Sequence, residues 1–128
     1  MNYVLLNSFP FVEGNFFLSV FLFLFFAGSG ASIRWRLQNL HLWDSWISTV
    51  FVNIFSSFFI GYLVAANPAS SVVTVLGVGF LGSLSTFSTV IMQTAKTIEN
   101  RDHWLTVLII GSNIVLGVLF AYIGLRFG

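Results

Sequence analysis

Long runs of apolar residues separate the few charged positions along this chain. The first run lies between Glu13 and Arg34, and the last covers residues 104–125. Residues 45–95 carry no formal charge and have room for two helices, with Asn67-Pro68 as the turn between them. A bilayer core of about 30 Å needs roughly 20 apolar residues per helix. The pattern therefore predicts four membrane-spanning helices, over residues 14–35, 45–66, 71–95 and 104–126.

The same runs distinguish a helical membrane protein from a membrane β-barrel. Strands of a membrane β-barrel alternate apolar and polar residues in segments of about 10, whereas these runs are continuously apolar. The residues before the first run include Glu13 but no Lys or Arg, which is untypical of a secretory signal peptide. We therefore expect an all-α integral membrane protein, with residues 1–128 forming a single four-helix domain.

Composition excludes several other classes of protein. The chain is 57% hydrophobic and 7% charged, whereas a soluble domain has roughly a quarter of its residues charged. It contains no cysteine, so neither disulfides nor thiolate metal sites can form. The net charge of +1 gives no reason to expect nucleic-acid binding.

The basic residues are distributed unevenly between the two sides of the predicted bundle. Arg34 and Arg36 follow the first span and Lys96 and Arg101 follow the third, whereas only Arg126 lies on the opposite side. Basic loops stay in the cytoplasm, so this bias predicts that both termini lie outside. Arg34 lies partly within the membrane, which weakens the count.

Candidate chemistry in the spans is polar but uncharged. The charged residues and both histidines lie at or beyond the span ends, so no catalytic or metal-binding cluster is predicted in the membrane and we do not expect an enzyme. Within the third span, three glycines and five hydroxyl residues follow one another over residues 77–89. A helix broken here could present carbonyl groups to a cation or amides to an anion. Alternatively, the small residues only allow close helix packing.

The second and fourth spans each carry a polar face as well. Helical spacing aligns one set in each span: Thr49, Asn53, Ser56 and Ser57 in the second, and Thr106 and Asn113 in the fourth, where Ser112 adds a further hydroxyl. Such groups also join helices by hydrogen bonds. If they line a pathway instead, hydroxyl and amide donors suit a neutral or anionic solute better than a cation.

Three segments carry a resemblance to a known family. They are Gly28-Ser29-Gly30-Ala31-Ser32-Ile33-Arg34-Trp35, Thr49-Val50-Phe51-Val52-Asn53 through Gly61, and Gly79 through Thr89. In this order they resemble the Fluc (CrcB) fluoride channels over nearly the whole chain. The resemblance implies four membrane helices with the third interrupted, an antiparallel dual-topology dimer, and passive export of fluoride that lowers its toxicity. It also implies a location in the plasma membrane of a bacterium, in contact with lipid.

The resemblance assigns roles to individual residues. It implies a fluoride pathway formed by Asn53, Thr49, Phe87, Ser88, Thr89 and Asn113. It also implies that Arg34 attracts anions to the entrance. Backbone carbonyl groups of Gly82 and Ser85 match positions that hold a structural Na⁺ ion at the dimer interface.

Four positions depart from the family pattern. Val90, Gln93, Ile109 and Asn113 stand where the family has phenylalanine, an acidic residue, tyrosine and serine. Together with the basic bias, these departures favour a heterodimer with a paralogue over a homodimer. A non-conducting or partly conducting partner subunit is an alternative. A small multidrug-type transporter is a more distant one, since such proteins need a membrane-embedded glutamate and no span here contains one.

Overall fold

The computed structural model describes residues 16–40, 44–68 and 72–128, and all of its regular elements in these ranges are helices. The helices are α1 (Phe16–Asn39), α2 (Ser45–Ala66), α3 (Val73–Leu81), α4 (Gly82–Leu84), α5 (Phe87–Glu99) and α6 (His103–Phe127). Four helical segments are long and apolar enough to cross a membrane, because α3, α4 and α5 together make one crossing, Val73–Glu99. The predicted all-α membrane fold with an interrupted third helix is confirmed, and the chain is a multi-pass membrane protein.

Helix ends extend beyond the apolar runs that predicted them. The predicted starts at residues 14 and 71 lie outside the described residues. Beyond the predicted ends at 35 and 95, α1 continues to Asn39 and α5 to Glu99, because a helix can extend past the hydrocarbon layer while hydropathy registers only the part inside it. At the turn before α3, Asn67 ends α2 in the left-handed conformation with φ 44°.

The closest helix packing joins α2 to α6. A Cβ at Gly61 would collide with the carbonyl group of Ala121, and one at Gly124 would collide with the carbonyl group of Phe58. Membrane helices associate through such small residues because lipid supplies no hydrophobic force between them. The two glycines therefore fix the distance between α2 and α6.

The interrupted segment packs against α1. Gly30 is buried where a Cβ would collide with the Ser83 side chain and the Phe80 carbonyl group. The first part of this segment, α3, is π-helical, a wider form that often occurs at functional sites. This packing brings the end of α1, including Arg34, against the interruption.

The distribution of side chains is that of a membrane protein with a polar interior. Large apolar groups point outward, as for Phe17 at 85% exposure and Trp104 at 77%. In contrast, Thr49 and Ser56 are completely buried. A buried polar group usually needs a hydrogen-bond partner; Thr49 has such partners, whereas Ser56 Oγ has none among the described residues.

Candidate functional site

The centre of the site is the non-helical pair Ser85 and Thr86, which separates α4 from α5. The Asn53 side chain pairs with both backbone groups of Thr86: its Oδ1 accepts from the Thr86 N–H at 2.7 Å, and its Nδ2 donates to the Thr86 carbonyl at 3.1 Å. Irregular backbone inside a membrane persists only where protein or water satisfies its polar groups. Asn53 of α2 therefore stabilises the interruption.

Thr86 is also the N-cap of α5. Its Oγ1 accepts from the Thr89 N–H at 3.2 Å, which caps the first turn of the helix. The same oxygen lies 3.2 Å from Ser88 Oγ and 3.0 Å from Thr89 Oγ1. The structure thus brings together Ser88 and Thr89, two of the predicted pathway residues, through a residue that the sequence did not single out. A threonine directly before the first residue of a helix is an N-cap signal that could have identified it.

Two carbonyl groups lose their helical partners at the interruption. The Thr86 N–H, which a continuous helix would direct to the Gly82 carbonyl, bonds to Asn53. The Thr89 N–H, which would reach the Ser85 carbonyl, bonds to Thr86 Oγ1. Carbonyl oxygens are ligands that a hard cation prefers, so the donor type of Gly82 and Ser85 matches the Na⁺ ion that the resemblance implies, while the Ser85 carbonyl also accepts from Arg34.

Side chains make two longer contacts with these carbonyl groups. Ser85 Oγ donates to the Gly82 carbonyl at 3.4 Å, and Arg34 Nη1 donates to the Ser85 carbonyl at 3.3 Å. Arg34 is only half-buried. Because Arg34 donates to the Ser85 carbonyl, its positive charge lies directly at the interruption.

The fourth span adds a second amide. Asn113 Oδ1 accepts from Asn53 Nδ2 at 2.7 Å, while Asn113 Nδ2 donates to the Ile109 carbonyl at 2.8 Å in its own helix. A chain of amides therefore runs from α6 through α2 to the backbone of Thr86. The structure places Asn53 and Asn113 in direct contact.

The two amides and the Ser85–Thr86 pair line a cleft of about 320 Å³ between α2, α5 and α6, whereas Ser88 and Thr89 are not among its lining residues. Its lining consists of Asn53, Ser57, Ser85, Thr86, Phe87, Val90, Ile91, Ile110, Asn113 and Ile114. The Phe87 side chain is 74% exposed, whereas Val90 is 3% exposed. The cleft thus combines uncharged polar groups with apolar walls, and Phe87 projects from its rim.

Thr49 lies in a different polar cluster, away from the residues that line the cleft. Its Oγ1 donates to the Ser45 carbonyl at 3.1 Å and accepts from Gln93 Nε2 at 3.0 Å and from Gln38 Nε2 at 3.4 Å. The only hydroxyl proton of Thr49 is therefore committed within the protein. In the same cluster, Gln93 Oε1 is buried without a hydrogen-bond partner among the described residues.

Comparison with known sequences identifies the family. The family described as CrcB-like protein, Camphor Resistance (CrcB), matches residues 21–125. The fluoride-specific ion channel FluC 2 of Prochlorococcus marinus (strain MIT 9313) is 33% identical over 110 residues, which cover 85% of this chain and 81% of that protein. FluC 1 of Ligilactobacillus salivarius (strain UCC118) is 29% identical over 101 residues, covering 77% and 89%.

A third relative is similar over a shorter stretch. FluC 2 of Bacillus thuringiensis subsp. konkukian (strain 97-27) is 28% identical over 82 residues, which cover 64% of this chain and 70% of that protein. No solved structure matches the chain. The family match extends over most of the four membrane segments, and it confirms the resemblance seen in the sequence. The chain belongs to the CrcB family.

Proposed function

We propose that this chain is a subunit of a fluoride-selective channel, through which fluoride leaves the cytoplasm passively along its electrochemical gradient. The observation that carries the proposal is the cleft at the Asn53–Thr86 contact, whose polar groups are all uncharged and whose walls are apolar. The relatives named fluoride-specific ion channels support the choice of ion. The function is transport rather than catalysis.

The proposed mechanism replaces the water of a fluoride ion with protein donors. The hydroxyl groups of Ser88 and Thr89 and the amides of the cleft are the donors, and the electropositive ring edge of Phe87 adds a weak attraction. No fixed charge lies among the cleft residues. The anion is therefore held weakly enough to leave, as conduction requires.

Arg34 serves the entrance in this proposal. Its guanidinium group is half-buried beside Ser85, where a positive charge raises the local concentration of anions. The Gly82 and Ser85 carbonyl groups would hold a structural Na⁺ ion between two subunits. An ion coordinated by carbonyl oxygens of both subunits would join them and so favour the dimer.

We further propose that two antiparallel subunits form the channel in the plasma membrane of a bacterium. The departures at Val90, Gln93, Ile109 and Asn113 favour a paralogous partner that supplies the missing aromatic ring. Relatives numbered FluC 1 and FluC 2 support the existence of such paralogues. A homodimer is the alternative arrangement.

The test is fluoride efflux from liposomes, followed with a fluoride-selective electrode. The chain is reconstituted alone and after co-expression with a paralogous CrcB protein from the same genome. Efflux from the chain alone indicates a homodimeric channel, whereas efflux only with the paralogue indicates a divided pore. If neither preparation shows efflux, the proposal is contradicted and a non-conducting subunit is favoured. This second candidate function is supported by Val90, which is buried at the position of the missing aromatic ring.

A further inference from the structure

We infer that the outward face of α1 binds one anionic phospholipid, whose acyl chain lies along Gly28 and Ser32 and whose headgroup binds Arg36. This inference does not depend on the proposed function, because it concerns the face of α1 opposite the candidate site. It follows from the shape of a groove on this face, from the chemistry of the groove lining and from the charge at its end.

An open groove of about 520 Å³ runs along the outward face of α1. It is lined by the small residues Gly28, Ser29 and Ser32 and by apolar side chains such as Leu24, which is 61% exposed. A Cβ added at Gly28 would meet nothing within 4 Å. From Leu24 to Arg36 the helix rises by about 18 Å, slightly more than half of a bilayer core of about 30 Å. The groove therefore has the length of one leaflet.

The serines of the groove have no donor left for a polar partner. Ser29 Oγ donates to the Phe25 carbonyl at 2.7 Å, and Ser32 Oγ donates to the Gly28 carbonyl at 2.8 Å. A hydroxyl group has one proton to donate, so both donors are used within α1. An acyl chain neither donates nor accepts hydrogen bonds, and it therefore fits this lining better than a polar segment of protein.

Arg36 provides a positive charge at one end of the groove. Among the residues that line the groove in the described part of the chain, Arg36 alone is charged. It is exposed and forms no hydrogen bond or ion pair with the residues that the structure describes. The neighbouring Trp35 is 67% exposed, and exposed indole rings favour the headgroup layer. Arg36 therefore lies at the depth of the headgroups, where its guanidinium group can pair with a phosphate.

The side of the membrane on which α1 ends favours an anionic lipid. This side carries four of the five basic residues, namely Arg34, Arg36, Lys96 and Arg101. Basic loops stay in the cytoplasm, and the cytoplasmic leaflet contains the anionic lipids. In the orientation that this bias predicts, the charge of Arg36 thus complements the lipid at that surface.

The groove lies opposite the face on which α1 packs within the chain. Gly30 is buried against the interrupted segment, and Arg34 donates to the Ser85 carbonyl. Two residues advance around a helix by about 200°, so Gly28 and Ser32 face away from the interruption. A second subunit that shares an ion with the interruption therefore contacts the other side of α1 and leaves the groove to lipid.

Lipid binding is measured by native mass spectrometry of the protein in a neutral detergent. The protein is titrated with phosphatidylglycerol or with phosphatidylcholine that carries the same acyl chains. We expect phosphatidylglycerol to bind wild-type protein about fivefold more tightly, the effect of one basic residue near an anionic surface. R36Q should lower the affinity for phosphatidylglycerol to that for phosphatidylcholine.

A second pair of variants tests the groove itself. G28L fills the groove where an added Cβ meets nothing within 4 Å, so we expect the affinity for both lipids to fall at least about threefold. G111L is the matched control, because it adds the same side chain to α6 at a position where a Cβ likewise meets nothing within 4 Å. Its affinity for both lipids should equal that of wild-type protein.

Cross-linking locates the lipid without any variant. Phosphatidylglycerol with a diazirine in its acyl chain is added at low mole fraction to phosphatidylcholine vesicles that contain the protein. After illumination, the labelled peptides are identified by mass spectrometry. We expect label on residues 24–33, and we expect unlabelled phosphatidylglycerol to reduce it more than the same amount of added phosphatidylcholine.

Three results would overturn the inference. The first is equal affinity of wild-type protein for the two lipids, or unchanged affinity of R36Q for phosphatidylglycerol. The second is label that avoids α1. The third is a G28L protein that loses self-association but keeps its lipid affinity, which would show that a second copy of the chain covers the groove. Because these assays measure lipid binding and not flux, the proposed function can fail while this inference holds.

Discussion

The Asn53 side chain forms two hydrogen bonds with the backbone of Thr86, accepting from its N–H at 2.7 Å and donating to its carbonyl at 3.1 Å. In a β-sheet, a neighbouring strand pairs with the backbone N–H and carbonyl groups of an extended residue in the same way. Here one amide on α2 allows a membrane helix to be interrupted without exposing unpaired backbone groups to lipid. The interruption in turn frees the carbonyl groups and collects the hydroxyl groups from which the site is built.

Replacing Asn53 with aspartate should abolish fluoride flux. N53D can still accept from the Thr86 N–H, but it no longer donates to the Thr86 carbonyl or to Asn113, and it adds a negative charge to the cleft. Leaving a buried acceptor unpaired costs about 1–3 kcal/mol, and the charge repels the permeating anion. We expect efflux to fall at least about 100-fold in the liposome assay.

Asn39 provides the matched control for N53D. It is exposed at the end of α1, and within the part of the chain that the structure describes it donates only to the Trp35 carbonyl of its own helix. N39D therefore adds the same charge outside the cleft and should conduct within about twofold of wild type. Wild-type flux through N53D would show that the cleft is not the pathway and that Asn53 contributes only to assembly.

Thr49 is expected to affect stability rather than selectivity. T49V keeps the shape of a fully buried side chain but removes the acceptor for Gln93 and Gln38 and the donor to the Ser45 carbonyl. We expect the free energy of unfolding in detergent to fall by about 1–3 kcal/mol, while the half-saturating fluoride concentration of the folded fraction stays within about twofold. A selective loss of fluoride affinity at unchanged stability would instead indicate that Thr49 belongs to the fluoride pathway.

Packing between α2 and α6 should not tolerate a side chain at Gly124. A Cβ there would collide with the Phe58 carbonyl group, which is backbone and cannot move aside cheaply. We expect G124A to destabilise the protein by about 1–3 kcal/mol, measured as a lower melting temperature in detergent. G111A lies on the same helix with nothing within 4 Å of the added Cβ, so its melting temperature should be unchanged or slightly higher. Equal melting temperatures for both variants would contradict this account of the α2–α6 contact.

The sequence predicted the membrane segments but only part of the site. Four apolar runs are enough to predict the membrane segments, because a membrane-spanning helix requires only sufficient length and hydrophobicity. Helical spacing also placed Thr49 and Asn53 on one face of α2. The structure separates them, since Asn53 meets Thr86 and Asn113 while Thr49 meets Gln93. Which helix opposes each turn of α2 depends on packing that one sequence does not reveal.

Removal of sodium should weaken the proposed dimer. The candidate ligands are the backbone carbonyl groups of Gly82 and Ser85, so no side-chain substitution deletes them and the ion itself must be exchanged. We expect replacement of Na⁺ by N-methylglucamine to lower the dimer fraction, measured by cross-linking in liposomes at low protein density. K⁺ at the same ionic strength shows whether another small inorganic cation can replace Na⁺. A dimer fraction independent of the cation would contradict a structural ion at this position.

Arg34 should assist fluoride entry by its charge, and the effect should depend on salt. Its guanidinium group lies at the interruption, 3.3 Å from the Ser85 carbonyl oxygen, whereas Arg36 is exposed on the same helix. Charges are screened over about 10 Å at 0.1 M salt and about 30 Å at 0.01 M. We therefore expect R34Q to lower flux several-fold at low ionic strength, with a smaller deficit at high ionic strength, and R34K to restore most of it. R36Q is the matched control, because it removes the same charge away from the interruption. Equal losses of flux in R34Q and R36Q would mean that only the general surface charge matters. A loss of flux in R34Q that does not depend on salt would mean that the hydrogen bond to Ser85 matters more than the charge.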